Sequence, residues 1–200
     1  PYYDRYVKDE KYIGDKMFTH FDKHFGELAK MTWGIIGLGN IGRRVADIAK
    51  AFGCRVIYYS TSGRNSQPGY ERVSFEELLK ESDIVSVHAP LDENTLDLMN
   101  KKAFHQMKKT AIFLNLGRGP IVVEEDLAEA LEQGEIAAAG LDVLRVEPMS
   151  PENPLRRIKD SEKLLITPHI AWASVEARTR LMEIICGQIQ EFFYNGSPES

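Results

Sequence analysis

The segment Gly37-Leu38-Gly39-Asn40-Ile41-Gly42 constrains the fold of this chain more than any other feature of the sequence. It follows an apolar, β-prone run at 32–36 and precedes a stretch with helical periodicity. In such a unit the first glycine permits a tight turn, the second lets the backbone approach a pyrophosphate, and the third lets the helix pack on the strand. Free N–H groups and the dipole at the helix N-terminus favour phosphate. The loop therefore predicts a βαβ unit that binds a dinucleotide.

The alternation of strands and helices continues along the chain. The capping box Ser74-Phe75-Glu76-Glu77 opens a short helix, and the run 124–133 is helical with Gly134 as its C-cap. Further strands are expected at 55–59, 84–87, 111–116, 137–143 and 164–167. Strands that alternate with helices pair in parallel through right-handed crossovers. We therefore predict an α/β fold, a Rossmann-type doubly wound parallel sheet.

Two helices carry apolar positions that are expected to face the interior. In the helix after the glycine loop, which Gly53 ends, these are Val45, Ile48, Ala49 and Phe52. In a long helix that Ser174 caps and that ends at Asn195-Gly196, they are Leu181, Ile184, Ile185, Ile189, Phe192 and Phe193.

Residues 1–30 lack this alternation, and we interpret them as the tail of a helix and a linker. His20 and His24 are four residues apart, a spacing that could place both on one helix face for a metal. Because no cysteine or third histidine lies near, solvated linker histidines are the favoured interpretation, and no metal site is expected.

Composition excludes several classes of protein. With 43% hydrophobic and 28% charged residues, the 200-residue chain has ordinary globular usage rather than that of a disordered or fibrous protein. A formal net charge of -5 argues against a nucleic-acid partner, and no apolar run approaches the roughly 18 residues that suggest a membrane span. Two cysteines, Cys54 and Cys186, fit a reducing compartment, so we expect a soluble, cytoplasmic protein. The absence of an initiator methionine before Pro1 suggests a fragment.

The choice of cofactor depends on the residue at the end of the second strand. An acid about 20 residues after the glycine loop would bind both ribose hydroxyls of NAD. Ser60 stands there instead, followed by Thr61, Ser62 and, two residues on, Arg64. Without a carboxylate to repel a 2′-phosphate, three hydroxyls and a guanidinium can bind it, which favours NADP. The alternative is that Arg64 stacks on adenine or points to solvent and that NAD is used.

Three ionisable residues, Arg118, Glu147 and His169, each follow a different predicted strand. Ligands of an open parallel sheet bind outside the carboxyl ends of its strands. Each residue alone would be an ordinary loop charge or a satisfied histidine. Three of them at equivalent positions beside a dinucleotide loop predict one catalytic site.

These segments resemble the D-isomer-specific 2-hydroxyacid dehydrogenase family. The matching stretches are Gly37-Leu38-Gly39-Asn40-Ile41-Gly42, Val87-His88-Ala89-Pro90-Leu91, Asn115-Leu116-Gly117-Arg118-Gly119, Gly140-Leu141-Asp142-Val143 through Glu147-Pro148, and Thr167-Pro168-His169-Ile170-Ala171. They occur in the family's order, and the match runs from about Phe18 to Gly196. The resemblance implies that Arg118 binds the substrate and that Glu147 and His169 form the acid–base pair.

The resemblance also implies cofactor contacts and an assembly. Asp142 would contact the nicotinamide carboxamide. The expected cofactor-binding residues are Gly37, Gly39, Asn40, Ile41, Gly42, Ser60, Thr61, Arg64, Ala89, Pro90, Thr95, Leu116, Gly117, Asp142 and Ala171. A homodimer formed through the cofactor domains is implied as well.

The implied reaction is hydride transfer between NAD(P)H and a small 2-keto acid, and the residue types suit it. The planar guanidinium of Arg118 can bind both oxygens of a carboxylate. His169 can donate a proton near neutral pH, and Glu147 beside it would favour the imidazolium. Likeness to hydroxypyruvate reductases and glycerate dehydrogenases favours hydroxypyruvate or glyoxylate, with 3-phosphoglycerate or D-lactate as alternatives. An NAD(H)-sensing binding module or corepressor of the same fold is the alternative from another class.

The chain departs from the family in one further respect. Members carry a substrate lobe built mostly from residues before the cofactor domain, and almost none of it precedes Phe18. We therefore expect a crossover-helix tail and linker at 1–25, a dinucleotide-binding domain at 26–173 and a return helix at 174–200. Such a chain is predicted to bind the dinucleotide and to be inactive by itself.

Overall fold

The computed structural model describes residues 2–64 and 66–194, and a sheet of seven parallel strands forms its centre. The strands are β1 (Thr32–Ile36), β2 (Arg55–Tyr59), β3 (Glu71–Arg72), β4 (Ile84–Val87), β5 (Ile112–Asn115), β6 (Ala138–Leu141) and β7 (Leu164–Ile166). Their order across the sheet is β3-β2-β1-β4-β5-β6-β7. The direction of winding reverses between β1 and β4, which places a ligand crevice at the carboxyl ends of these strands. The predicted Rossmann-type fold is confirmed.

Helices cover both faces of the sheet. The helices of the described residues are α1 (Tyr2–Lys8), α2 (Asn40–Ala51), α3 (Phe75–Glu81), α4 (Lys101–Gln106), α5 (Glu124–Gln133) and α6 (Val175–Tyr194), and α2 to α5 are the ones that pack on the sheet. Because successive strand residues point to opposite faces, β1 shows which helix covers which face. Gly34 faces Leu78 of α3, whereas Ile35 packs with Ala46 and Ala49 of α2. α4 packs beside α3, α5 beside α4, and a 3-10 helix at Pro154–Arg157 beside α5, so this row lies on the face opposite α2.

Most of the predicted elements lie where the sequence pattern indicates. β1, β2, β4 and α5 have the predicted bounds, and β5, β6 and β7 end slightly inside theirs. Gly134 caps α5 with a φ of 67°, and the Ser74 side chain caps α3 by accepting from the Glu77 amide at 3.2 Å. β3 was not predicted, because two exposed residues at a sheet edge carry no alternation of polar and apolar side chains.

The predicted inner face of α2 is partly wrong. Ala49 is buried and Val45 is half-buried, as predicted, but Ile48 and Phe52 are 59% and 61% exposed. The helix buries Gly42 and Ala46 as well as Ala49. A Cβ at Gly42 would lie 2.3 Å from the Gly37 carbonyl oxygen, so the helix sits too close to the glycine loop for large side chains on its inner face. The close approach of α2 to the glycine loop, rather than the apolar area of its side chains, therefore decides which face of α2 is buried.

The apolar side of α6 is also not buried within the described residues. Ser174 caps the helix as predicted, accepting from the Ala177 amide at 3.2 Å, but no residue of α6 is buried. The six side chains that the periodicity places inside are 36–75% exposed. The described chain supplies no partner surface for them, and the predicted helix end at Asn195-Gly196 lies outside the described residues.

The segment before β1 contains α1 and a 3-10 helix at Leu28–Lys30. His20 and His24 are not on a helix, and the His20 ring stacks on Tyr6 with ring centroids 4.0 Å apart. Within the described ranges, no group of three or more His, Cys, Asp or Glu side chains is placed to hold a metal ion. None of the helices in the same ranges is both long and apolar enough to cross a membrane.

Candidate active site

The carboxyl ends of β5, β6 and β7 are joined side by side, and each leads into a loop with one predicted catalytic residue. The Asp142 amide donates to the Asn115 carbonyl at 3.0 Å, and the His169 amide donates to the Asp142 carbonyl at 2.8 Å. Parallel pairing therefore carries the loops of Arg118, Glu147 and His169 to one edge of the sheet, as the sequence predicts.

Glu147 and His169 are in direct contact. Glu147 Oε2 lies 2.7 Å from His169 Nδ1, and Glu147 Oε1 accepts from the Leu144 amide at 2.7 Å. The Leu144 amide and then the His169 ring hold the pKa of Glu147 below its usual range. Glu147 is therefore an anion that fixes the His169 ring through Nδ1.

The turn that carries His169 has an unusual backbone. The φ angle of His169 is 54°, in the left-handed region that a non-glycine residue occupies only when its surroundings hold it there. The Asp142 carboxylate binds this turn, accepting from the Thr167 hydroxyl at 2.6 Å and from the Ile170 and Ala171 amides at 2.9 and 2.8 Å.

Arg118 stands in a loop that its neighbours hold rigidly. The Asn115 side chain donates to the Arg118 carbonyl and accepts from the Gly117 amide, both at 3.0 Å. A Cβ at Gly119 would lie 1.8 Å from the Leu144 carbonyl oxygen, so this loop packs against the loop of Glu147. The Arg118 side chain is exposed at the edge where these loops meet, and its guanidinium donates to the Gly117 carbonyl at 2.8 Å.

A cavity of about 170 Å³ lies between the glycine loop and the end of β2. It is lined by Gly37, Leu38, Gly39, Ser60, Thr61, Ser62, His88, Pro90 and Asp92. Ser60 is 3% exposed, and its hydroxyl oxygen has no hydrogen-bond partner among the described residues. A Cβ at Gly39 would meet nothing within 4 Å, so packing within the protein does not require glycine there. A buried hydroxyl without a partner and an open space at Gly39 fit a phosphate-bearing ligand.

The other expected cofactor residues differ in how they meet this cavity. Ala89 backs the glycine loop, since a Cβ at Gly37 would lie 2.7 Å from Ala89 Cα. Thr95 is fully buried, and its hydroxyl is used inside the loop, donating to the Pro90 carbonyl at 2.7 Å and accepting from the Asp92 amide at 2.8 Å. Arg64 is exposed and does not line the cavity. Four other expected cofactor residues are also exposed and do not line the cavity, namely Asn40, Ile41, Leu116 and Ala171. Gly117 is buried.

Sequence reasoning missed three residues that line the cavity as candidate ligand contacts, namely Leu38, His88 and Asp92. His88 Nε2 lies 3.1 Å from the Ser86 hydroxyl, which accepts from the Trp33 indole at 2.9 Å. Burial lowers the pKa of His88 to about 4, so the ring is neutral near pH 7. His88 lies inside one of the quoted motifs, and that position could have identified it.

A larger cavity of about 800 Å³ is lined in part by Glu147 and His169. Besides Glu147 and His169, its lining contains apolar side chains such as Leu155 and the basic residues Arg156 and Lys159.

Comparison with known proteins decides the family. A family model described as D-isomer specific 2-hydroxyacid dehydrogenase, NAD binding domain, matches residues 1–171. The chain belongs to this family. The resemblance drawn from the five sequence motifs is thereby confirmed.

Proteins with similar sequence or structure are longer than this chain. A hydroxypyruvate reductase from Blautia hydrogenotrophica is 39% identical over 202 aligned residues, which cover 98% of this chain and 61% of the reductase. A D-isomer specific 2-hydroxyacid dehydrogenase from Lactobacillus delbrueckii ssp. bulgaricus, solved in its NAD-complexed form, is 31% identical with a TM-score of 0.80, covering 98% of this chain and 62% of that one. An acyclic imino acid reductase solved with NADPH and D-Arg is 30% identical with a TM-score of 0.79, covering 96% and 60%. The chain thus spans about three fifths of each of these proteins.

Proposed function

We propose that the protein containing this chain is an oxidoreductase that transfers a hydride between NAD(P)H and a small 2-keto acid. The observation that carries this proposal is the 2.7 Å contact of Glu147 with His169 at the sheet edge that also holds the dinucleotide loop. A hydroxypyruvate reductase among the relatives supports a substrate of the hydroxypyruvate or glyoxylate type.

In this mechanism the chain orients the keto acid and manages one proton. Arg118 binds the substrate carboxylate, because a guanidinium can donate two parallel hydrogen bonds to it. His169 donates a proton from Nε2 to the carbonyl oxygen as negative charge develops there. Glu147 stabilises the imidazolium through Nδ1 and fixes the ring orientation. The hydride would come from the nicotinamide of a bound cofactor.

The residues around the smaller cavity hold the cofactor in this proposal. The glycine loop and the N-terminus of α2 receive the pyrophosphate. We propose NADP ahead of NAD, because the buried Ser60 hydroxyl has no partner and Thr61 and Ser62 line the same cavity. Structural relatives support either choice, since one is complexed with NAD and another with NADPH.

The role of Asp142 at the nicotinamide is more restricted than the resemblance implies. Oδ1 accepts two hydrogen bonds and Oδ2 accepts one within the turn of His169. One lone pair of Oδ2 is without a donor among these contacts, which suffices for the proposed carboxamide contact.

The surfaces of the chain support two further proposals about the whole protein. We propose that 26–173 is the cofactor domain and that the segments 1–25 and 174–200 connect it to a substrate lobe, because α1 and α6 bury no residue. We also propose a homodimer through the cofactor domain, since three large apolar side chains on α2 and its C-cap, Ile41, Ile48 and Phe52, are exposed. The free thiols of the two cysteines support a reducing, cytoplasmic location.

Replacement of the proton donor tests the function. In the longer protein, His169→Ala should lower kcat for hydroxypyruvate or glyoxylate reduction by about 100-fold or more while leaving cofactor binding intact. His105→Ala is the matched control, because His105 is an exposed histidine on α4 whose carboxylate neighbour, Glu135, lies 3.4 Å away. Equal activity of the two variants, or no reduction of any 2-keto acid by the wild type, would reject the proposal.

A further inference from the structure

Four hydrogen-bond donors in the turn 167–171 converge on Asp142. Its carbonyl oxygen accepts from the His169 amide at 2.8 Å. Oδ1 accepts from the Thr167 hydroxyl at 2.6 Å and the Ile170 amide at 2.9 Å, and Oδ2 accepts from the Ala171 amide at 2.8 Å. Asp142, the first residue after β6, therefore binds the turn that presents His169 through four hydrogen bonds.

The charge state of Asp142 suits this arrangement. Asp142 is only 5% exposed, and this burial by itself would raise the pKa of its carboxyl group. Hydrogen bonds from Thr167, Ala171 and Ile170 outweigh burial and hold the pKa of Asp142 below its usual value. An ionised carboxylate is an acceptor only, so all three donors find a matching oxygen.

The turn needs such ties because of its backbone conformation. His169 has a φ of 54°, which an L-residue with a side chain rarely adopts without support. If the turn relaxed, the ring would leave the position in which Nδ1 lies 2.7 Å from Glu147. The direction of Nε2 would change with it.

An amide of the same shape cannot replace the carboxylate. In either orientation, the NH₂ group of an asparagine at 142 would face at least one of the three donors instead of accepting from it. The geometry points to Asp142 as a positioning residue that holds His169 in its reactive conformation, a role that rests on the proposed function for the importance of His169. This role is additional to any nicotinamide contact.

Hydrogen exchange measured by NMR on the 200-residue chain tests the inference without turnover. Asp142→Asn should accelerate exchange of the Ile170 and Ala171 amides by at least about tenfold, because each loses or shares a charged acceptor. The downfield Nδ1–H signal of His169 should disappear in the same variant, and protected amides of the sheet should stay protected.

Matched variants separate this role from general destabilisation. Asp160→Asn removes a carboxylate that accepts from the Glu162 amide at 2.8 Å outside the turn, and it should leave the His169 signal and the two amides unchanged. Thr167→Ser keeps the hydroxyl donor and should also match the wild type, whereas Thr167→Val should accelerate exchange in the turn by a smaller factor. If Asp142→Asn unfolds the chain, the Thr167 pair of variants decides the question.

The outcomes distinguish this inference from the proposed function. Fast exchange of Ile170 and Ala171 in the wild type, or wild-type exchange in both Asp142→Asn and Thr167→Val, would overturn the positioning role even if the longer enzyme reduces keto acids. Loss of the turn's protection in Asp142→Asn would support the role even if no keto acid is reduced. Weaker NADH binding by Asp142→Asn with the His169 signal intact would leave a cofactor contact only and would also overturn it.

Discussion

The two sides of the sheet's carboxyl edge differ in how fully their polar groups are paired. Beyond β6 and β7, Asp142 and Glu147 accept hydrogen bonds from backbone amides and from side chains of the His169 turn. Beyond β1 and β2, the buried Ser60 hydroxyl has no partner among the described residues, and the space beside Gly39 is open. The acid–base side is thus organised by the protein alone, whereas the dinucleotide side is shaped for a group that the chain does not supply.

The largest expected effect concerns the crevice that the two sides share. The 200-residue chain should bind the dinucleotide but show no measurable reduction of hydroxypyruvate or glyoxylate. Arg118 and the paired Glu147 and His169 hold a keto acid from one side only, and productive geometry requires reacting atoms about 3–3.5 Å apart. Cofactor oxidation assays on this chain and on the same chain with its upstream segment measure the difference. Substantial turnover by the chain alone would place the substrate site wholly within it.

Substitution by alanine should affect dinucleotide binding at one glycine of the loop and the stability of the fold at another. Gly39→Ala should raise the dinucleotide Kd at least about tenfold, because its Cβ would occupy the approach to the backbone amides. Its free energy of unfolding should change by no more than about 1 kcal/mol. Gly42→Ala should instead destabilise the fold by about 1–3 kcal/mol, because its Cβ would lie 2.3 Å from the Gly37 carbonyl oxygen.

Calorimetric titration and denaturant unfolding of both variants separate the two effects. If Gly39→Ala bound the dinucleotide as tightly as the wild type, the open space beside Gly39 would have no role in binding.

A charge at position 60 should change the preference between cofactors. Ser60→Asp would place a carboxylate where we propose the 2′-phosphate, and close like charges repel by about 1–4 kcal/mol depending on solvent screening. The NADPH-to-NADH affinity ratio should therefore fall at least about fivefold. Ser66→Asp is the control, because Ser66 is exposed and does not line the cavity. A wild type that already prefers NADH and a ratio that Ser60→Asp leaves unchanged would contradict the phosphate-pocket interpretation.

The smallest expected effect tests the paired side. In the longer protein, Glu147→Gln should move the alkaline limb of the reduction rate to lower pH, since the protonated imidazole loses its anionic partner. Because the folded pKa of Glu147 lies below its unfolded value, its contribution to stability is present at neutral pH and lost as pH falls through the folded pKa. Glu147→Gln should therefore also reduce the loss of stability on acidification. If the reduction rates of the wild type and Glu147→Gln depended on pH in the same way, Glu147 would be only a structural loop charge.

The same contrast explains how far sequence reasoning reached. The β-prone runs and the Gly134 cap predicted most of the sheet and α5, since local propensity and burial agree there. The inner face of α2 was predicted partly wrongly, because close approach at Gly42 overrides the spacing of Ile48 and Phe52. Position along the chain predicted that the loops of Glu147 and His169 meet. It could not show the 2.7 Å contact or the ties from Asp142, which depend on how three separate loops fold onto one another.

Calorimetric titration of the folded 200-residue chain with NADPH and with NADH tests the central claim most directly. We predict binding of at least one of them, with NADPH the tighter, abolished or strongly weakened by Gly39→Ala and retained in His169→Ala. That pattern would show that the dinucleotide side functions independently of the acid–base side. A folded chain that binds neither dinucleotide, or whose binding is lost with His169 and kept with Gly39→Ala, would contradict the account.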